Sequence, residues 1–531
     1  MTYTEELLGK NARHSLLKGA KRVYDAVSTT LGPRGRNVVI NKNFDIEVLH
    51  DGVKVARYIM PEDKNEKSGA DILREAAERH VDRVGDGTTL TIILGYHIAK
   101  QAMTLIDSGV DAMGLKEGLE KGRDILINEI DRLAKPVRTE KQKIQVASIS
   151  AQDKELGKMI GSTYHKIGLE GVIVADESKL DETILEHEKG ISISNGWLSP
   201  YFITNPNNMT ATIKDSYLLI TDSELEDQYE FVDFVKNVLK KENIRNLTVI
   251  AGNVSGLLLA SMLMTKKQGM MNLLAVKAPA FGQYRKEILE DIAVMTGGNL
   301  IHDDDHKKLG ELTLDDLGFC RHIKSSKDTT TILGNEGDKK IMKKRIASIK
   351  HQMKDPESKF ELEKLRERLS KMTGGVYVIR TGGPTEIEMS ERKERVEDAI
   401  LATRSAIVSG IVPGGEVTFL SIKDALKPDG KEEEYAYRIL SDAIKEPFNK
   451  LLSNAGLDAG YYTAKLEDQP FGHGVDVTDS TVKDMVKEGI VDPADVLKEG
   501  LRSAVSVAIL LLTAAVAVSQ HEDKVSSMPN A

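Results

Sequence analysis

Apolar residues recur every three or four positions through residues 14–30, at Leu16, Ala20, Val23 and Val27, and that period predicts a helix with one buried face. Gly32-Pro33-Arg34-Gly35 ends it before the β-rich Asn37-Val38-Val39-Ile40. A second helical stretch, residues 70–84, runs into Gly85-Asp86-Gly87, and a third, residues 88–103, runs out of it, so the glycines sit at a helix start. Residues 110–134 read as a further helix. The texture then changes to short apolar runs between helical segments, at Val172-Ile173-Val174, Tyr217-Leu218-Leu219-Ile220, Leu247-Thr248-Val249-Ile250 and Leu273-Leu274-Ala275-Val276. This α/β alternation continues to about residue 375 and marks a separate domain. From Glu386 the chain turns helical again, passes Val412-Pro413-Gly414-Gly415, and ends in the apolar run 504–518, read as a buried helix. That run is shorter than the roughly 20 residues a membrane span needs and carries Ser506 and Thr513, so no membrane partner is expected.

At 531 residues the chain is too long for one core, and two or three domains are expected. Its 82 acidic and 73 basic residues are interspersed and leave a net charge of −9, which argues against a nucleic-acid or anionic-membrane footprint. The single cysteine, Cys320, excludes an internal disulfide framework and a cysteine-based zinc site, and suits a reducing compartment. The first residues, Met1-Thr2-Tyr3-Thr4-Glu5-Glu6, have neither an apolar signal core nor transit-peptide character, so a cytoplasmic location is expected. His302-Asp303-Asp304-Asp305-His306 has histidines at i and i+4 that could ligate a metal on a helix. The segment lacks an apolar face to hold such a helix and reads as a solvated acidic loop.

The chemistry centres on Gly85-Asp86-Gly87-Thr88-Thr89. A helix start exposes unpaired backbone N–H groups and the positive end of the helix dipole, so a glycine turn there can cradle phosphate. The glycines admit close backbone approach, Thr88 and Thr89 can donate hydroxyls to phosphate oxygens, and Asp86 is a hard oxygen ligand for Mg²⁺. Taken alone, the same five residues could also be a capped turn.

Other motifs decide between these readings. Thr30-Leu31-Gly32-Pro33-Arg34-Gly35-Arg36-Asn37, Asp51-Gly52-Val53, Val84-Gly85-Asp86-Gly87-Thr88-Thr89, Arg395-Val396-Glu397-Asp398-Ala399 and Gly489-Ile490-Val491-Asp492-Pro493 stand in the order and spacing of the group I chaperonins, the GroEL family of ring-forming folding machines. The chain resembles that family over nearly its whole length, including Lys277-Ala278-Pro279-Ala280-Phe281-Gly282 and Asp328-Thr329-Thr330-Thr331. The resemblance implies a GroEL-like multidomain α and α/β fold. A mostly helical equatorial ATP domain would comprise residues 1–132 and 408–531, a small intermediate hinge domain residues 133–188 and 374–407, and an α/β apical domain residues 189–373.

The resemblance also implies roles. Asp86 is similar to the family's Mg²⁺ ligand, with Gly87, Thr88, Thr89 and the turn at Gly32 on the phosphates and Thr30, Leu31 and Pro33 completing the pocket. Asp398 resembles the residue that activates the attacking water, with Asp51 assisting from the other side. Gly414 and Gly415 would line the pocket, and Asp476 and Asp492 stand where the family contacts base and ribose. The chain departs from the family at Asp476, usually Asn, at Glu416, which replaces a third glycine, and at His50, which replaces a lysine. Asp51, Asp86 and Asp398 converging on a triphosphate would repel it unless Mg²⁺ and K⁺ sat among them, so metal-free ATP should bind poorly. The distance in sequence between Asp398 and Asp86 suggests a hinge that couples hydrolysis to domain motion.

For the α/β insertion, the resemblance implies capture of non-native polypeptide by apolar surface at the ring opening, where a lid (co-chaperonin) can later dock. The residues expected to serve are Trp197, Tyr201 and Phe202 in an extended aromatic stretch, Phe231 and Phe234 on one helical stripe, and Leu259, Leu263 and Met264 on another; each taken singly is more often core than binding surface, and it is the resemblance that points to the surface. Met262, Met270 and Met271 add adaptable thioethers. A homo-oligomeric ring, seven subunits by resemblance, is expected. Asn449 and Thr104 replace the arginine and lysine of the contacts through which two such rings meet. Asp458 lacks its basic partner and Gly460 and Tyr461 also depart, so a weakened ring–ring interface is expected. The tail 519–531 lacks Gly-Gly-Met repeats, and these departures together suggest a divergent member, such as a virus-encoded form. Two other classes stay open: an assembly scaffold that binds nucleotide without client turnover, and a small-molecule kinase.

Overall fold

The computed structural model describes residues 2–522 except 43–44, 50, 170, 179–180, 189, 207, 303–308, 336 and 355–357. His50, Asp303–His306 of the acidic run and most of the tail therefore lie outside the described residues. The chain forms two compact units, Met1–His165 with Ser390–Ala531, and Lys166–Met389.

The first unit is helical. Its centre is the helix Thr88–Asp107, which is apolar on nearly every side and is enclosed by the helices Gly9–Val27, Lys64–Val84, Lys431–Ala443 and Ala494–Thr513. Ile92, Ile93, Leu94 and Ile98 are fully buried there, each contributing roughly 1.5–3 kcal/mol. The expected Leu16, Ala20, Val23 and Val27 form the inner face of Gly9–Val27. That helix crosses Lys64–Val84 at backbone contact: a β-carbon at Gly19 would overlap the Glu66 carbonyl, and one at Gly69 that of Leu16.

The terminal run departs from the sequence expectation. Its helix stops at Thr513, and Val516–Glu522 is a strand paired antiparallel with Thr2–Leu8, from Thr2↔Glu522 to Leu8↔Val516. Val516 and Val518 are exposed and Ala517 is buried, so the period there is two, and a continuous apolar run concealed it. Among the described residues no helix is long and apolar enough to cross a membrane.

The second unit is α/β, as expected. Its main sheet runs in the order Asn272–Lys277, Asn246–Ala251, Ala211–Thr221, Gly318–Ser325, Thr330–Asn335, Gly190–Ile193. The first two pairings are parallel and the rest antiparallel. Three of the expected apolar runs form its parallel side, from the edge strand Asn272–Lys277 inward to Ala211–Thr221, and are buried on both faces. The fourth, Val172–Glu177, belongs to a smaller sheet in which Val376–Thr381 is central, parallel to Val172–Glu177 and antiparallel to Ile184–Glu188. Helices Gly282–Thr296 and Lys359–Gly374 are joined by a buried fork in which Arg368 donates to Asp291 at 2.7 and 3.0 Å.

A candidate nucleotide site in the helical unit

The site grows from two glycines that reverse the chain between helices. Gly85 (φ 82°) closes Lys64–Val84, its N–H donating to Val81 at 2.7 Å, and Gly87 (φ 99°) opens Thr88–Asp107. The room beside them is already filled: a β-carbon on Gly85 would overlap Leu401, and one on Gly87 would lie 2.8 Å from His80 Nε2. Asp86 between them is held by the Gly87 N–H at 2.6 Å. Its surface is exposed although protein surrounds it, which is the situation of a group on the floor of an open cleft. That surrounding protein raises its carboxyl above the usual range against the Gly87 hydrogen bond, and Asp51 adds to the rise.

Thr88, the first residue of the helix, is buried with its hydroxyl lacking any hydrogen-bond partner. An orphaned hydroxyl among free backbone N–H groups fits a phosphate oxygen. Thr89 Oγ1 lies 3.5 Å from Thr30 Oγ1, and a β-carbon on Gly52 would be 2.6 Å from it, so the segments at Thr30, Asp51 and Thr89 meet. Asp51 caps the helix Gly52–Tyr58, accepting from Val53 at 2.9 Å. The turn through Leu31, Gly32 and exposed Pro33 is held by Asn454, whose amide donates to the carbonyls of Ser28 at 3.0 Å and Leu31 at 3.1 Å.

Asp398 arrives on the long helix Glu386–Ser409, which lies directly against the loop: its own carbonyl would be 3.2 Å from a β-carbon on Gly85. Burial, then Asp51, then Asp86 push its carboxyl well above the usual range. On another side, strands Ile411–Pro413 and Val491–Pro493 pair with Val412 opposite Asp492, and this sets Gly414 against Asp492 Oδ1, 3.1 Å from a would-be β-carbon. Burial and Asp86 push Asp492 up to about 7, although the Gly415 N–H pulls it down. A β-carbon on Gly415 would lie 2.9 Å from the Met485 methyl. Asp476 differs from the rest. Burial would raise it, but Thr478 and Lys483, the latter at 2.9 Å, hold it below the usual range, so its carboxylate is already occupied.

Several residues that the sequence did not point to shape this site. Lys54 pairs with Glu394 at 2.6 Å and so ties the Asp51 segment to the Asp398 helix. His80, fully buried beneath Gly87, contacts Thr91 Oγ1 at 2.6 Å, and burial lowers its imidazole to about 4, leaving it neutral. A polar residue in phase with the inward Leu73 and Ala77 was its available signal. Among the described residues no three His, Cys, Asp or Glu side chains are grouped closely enough to hold a metal. The donors fit Mg²⁺ all the same, because Mg²⁺ is commonly bound through one or two carboxylates and the substrate's phosphates.

In the α/β unit the expected apolar face is corrected. Phe202, Phe231 and Phe234 are core, the last at 0% exposure, because their rings point onto the sheet. Trp197, Leu259 and Leu263 are partly buried against the same core, the Trp197 indole donating to the Met209 carbonyl at 3.2 Å, and Met262 and Met271 are buried. Tyr201 (81% exposed) and Met264 (54%) do face solvent, as do Met270, Tyr229, Leu257 and Phe281. On the helix Gly256–Lys267 the inward pair is Leu258 and Met262, one residue out of phase with the stripe expected there.

The TCP-1/cpn60 chaperonin family matches residues 23–520. Among solved structures, the chaperonin gp146 from the bacteriophage EL 2 (Pseudomonas aeruginosa), crystallised in the presence of ATP-BeFx, matches in two crystal forms. Form II has 20% identity over 96% of this chain and 98% of that one, with a TM-score of 0.69. Form I has 20% identity over 97% and 99%, with a TM-score of 0.62. At that identity the likeness is one of fold.

Proposed function

This chain belongs to the TCP-1/cpn60 chaperonin family, and we propose on that premise that it hydrolyses ATP in the cleft around Asp86 and uses the energy to fold non-native polypeptides. The observation that carries the reading is the orphaned Thr88 hydroxyl at a helix start, with Asp51, Asp86 and Asp398 brought around it from distant segments. The hydroxyls of Thr88 and Thr89 and the first N–H groups of the helix orient the phosphates. Asp86 would hold Mg²⁺, which with K⁺ supplies the positive charge a triphosphate needs among these carboxylates. Asp398 orients the attacking water and accepts its proton, a task for which a carboxyl raised by burial is suited. Asp51, fixed by its capping bond, assists from the other side.

The helix that carries Asp398 is the coupling element. In this reading residues 133–188 and 374–407 act as a hinge between an equatorial ATP domain and an apical domain, 189–373, whose Tyr201, Met264 and neighbouring apolar residues hold the client. The lone cysteine, Cys320, is buried and suits a reducing cytoplasm. Identical subunits form the ring, seven by family resemblance. A weakened ring–ring contact is supported by Asp458, whose carboxylate accepts from the Tyr461 N–H at 2.7 Å as a helix cap. Native mass spectrometry giving only fourteen-subunit particles, with and without ATP, contradicts that last point.

The test of the function is refolding of a denatured enzyme by the purified protein with no lid added. Recovery above the spontaneous yield with ATP and Mg²⁺, and not with ADP, is expected. Equal recovery with both nucleotides points instead to a scaffold without client turnover.

A further inference from the structure

His80, on the helix Lys64–Val84, is fully buried beneath the phosphate loop. Nδ1 of its ring lies 2.6 Å from Oγ1 of Thr91, itself fully buried in the first turn of Thr88–Asp107. Nε2 lies under Gly87, 2.8 Å from where a β-carbon on that glycine would stand, and among the described residues it has no hydrogen-bond partner. A half-satisfied imidazole in a sealed core is a poor choice for stability, since a leucine fills similar space with no polar atom to satisfy. The unmet nitrogen therefore points to a partner that arrives with the working state of the loop. Burial keeps the imidazole neutral, and Glu499 and then the backbone of Gly87 and of Val496 work against it by favouring the protonated ring. A backbone carbonyl has that effect, and an N–H has the opposite one. With the Thr91 hydroxyl donating to Nδ1, the ring proton sits on Nε2, a donor close to the Gly87 carbonyl but short of hydrogen-bond geometry. That carbonyl accepts from the Thr91 N–H at 3.0 Å and has a second lone pair to offer. In a trans peptide the carbonyl of one residue and the N–H of the next point in opposite directions, so drawing the Gly87 carbonyl down aims the Thr88 N–H up into the cleft.

We propose that His80 is a positioning residue for phosphate binding: its Nε2–H donates to the Gly87 carbonyl from beneath when nucleotide binds, and so holds the Thr88 N–H on the phosphate. The proposal rests on the ATP reading above and deepens it. His80 acts through the Gly87–Thr88 peptide and not on the nucleotide itself, and the left-handed backbone of Gly87 (φ 99°) gives that peptide room to turn. The helix Ala494–Thr513 backs the ring from another side, a β-carbon on Gly500 lying 3.4 Å from its Cε1, so the imidazole is a fixed stop onto which the loop settles.

The test compares His80→Gln, His80→Asn and His80→Leu in the full-length protein, by calorimetric titration with ATP and Mg²⁺ and by steady-state hydrolysis. A glutamine amide stands near the place of Nε2 and keeps a donor for Gly87, an asparagine amide stands near Nδ1 and keeps only the Thr91 partner, and leucine keeps neither. His80→Gln should bind ATP within about threefold of the wild type, and His80→Asn and His80→Leu about tenfold more weakly. Hydrolysis should show that loss in KM, with kcat held within about threefold. Thermal unfolding of each variant without nucleotide separates this from damage to the fold. Any other order of affinities overturns the proposal; His80→Asn at the wild-type level with His80→Gln impaired would show that the ring serves Thr91 and the fold alone. A loss confined to kcat overturns it too, as does an order of affinities that merely follows the unfolding midpoints. Three variants that bind ATP as the wild type does overturn it while leaving the ATP site standing. A wild type that binds no nucleotide overturns the ATP reading itself.

Discussion

Replacing Thr88 by valine keeps the shape of the side chain and removes only the hydroxyl. In the nucleotide-free protein that hydroxyl is buried without a partner. Leaving such a group unsatisfied costs about 1–3 kcal/mol, so Thr88→Val should stabilise the empty protein by roughly 1–2 kcal/mol. In the proposed nucleotide complex the same hydroxyl would donate to a charged phosphate oxygen, an interaction worth about 1.5–3 kcal/mol, so ATP affinity should fall roughly 10- to 100-fold. Stability and affinity therefore move in opposite directions, an outcome that a plain capped turn does not produce. Thermal unfolding of the nucleotide-free protein at a fixed scan rate and calorimetric titration with ATP and Mg²⁺ measure the two halves. A variant less stable than the wild type with unchanged ATP affinity would refute the reasoning, because it would show that the hydroxyl serves the fold and not a ligand.

Asp492 is raised to about 7, and Asp398 and Glu416 are raised well above the usual range, so the folded empty protein holds protons there that the unfolded chain releases from about pH 4 upward. Their contribution to stability is complete below about pH 4 and is lost as pH rises through about 7 and beyond; melting against pH should show a shallower decline in Asp492→Asn than in the wild type. Lys54→Ala should keep ATP binding but slow hydrolysis by about tenfold by freeing the Asp398 helix, and Glu394→Ala added to it should cost little more, a non-additivity that steady-state kinetics on the double mutant detects. Phe234→Ala should destabilise the α/β unit by about 3–5 kcal/mol, whereas Tyr201→Ser should leave its unfolding midpoint unchanged and weaken binding of a denatured client, read by co-sedimentation.

How much of this was legible in the sequence follows from which interactions are local. Helical period and glycine chemistry are local, so the helix through Leu16 to Val27 and the turn at Gly85–Gly87 could be read directly. The strand from Val516 to Glu522 could not, because Leu-Leu-Leu-Thr-Ala-Ala-Val-Ala-Val is apolar but for Thr513 and shows no alternation, and its period of two appears only when Thr2–Leu8 pairs with it. The aromatics of the α/β unit were misplaced for a similar reason: a stripe of Phe231 and Phe234 states that one face is apolar, and only the sheet beneath decides that this face is inside. In the cleft, the motifs named Asp51, Asp86 and Asp398. The Lys54–Glu394 tie and the Asn454 amide under Leu31 join residues hundreds of positions apart whose types are ordinary for exposed helices. Glu416 was visible as an unexpected residue after two glycines, but its lack of a partner is a property of the folded cleft alone.

In the proposed mechanism Asp398 acts on the attacking water and not on the binding of ATP. Asp398→Ala, assayed side by side for Mg²⁺-ATP affinity and for single-turnover hydrolysis, tests it most directly. Affinity within about threefold of the wild type and hydrolysis slowed by about 10²- to 10⁴-fold are expected. Hydrolysis at the wild-type rate, or a loss of rate fully explained by lost binding, would contradict it.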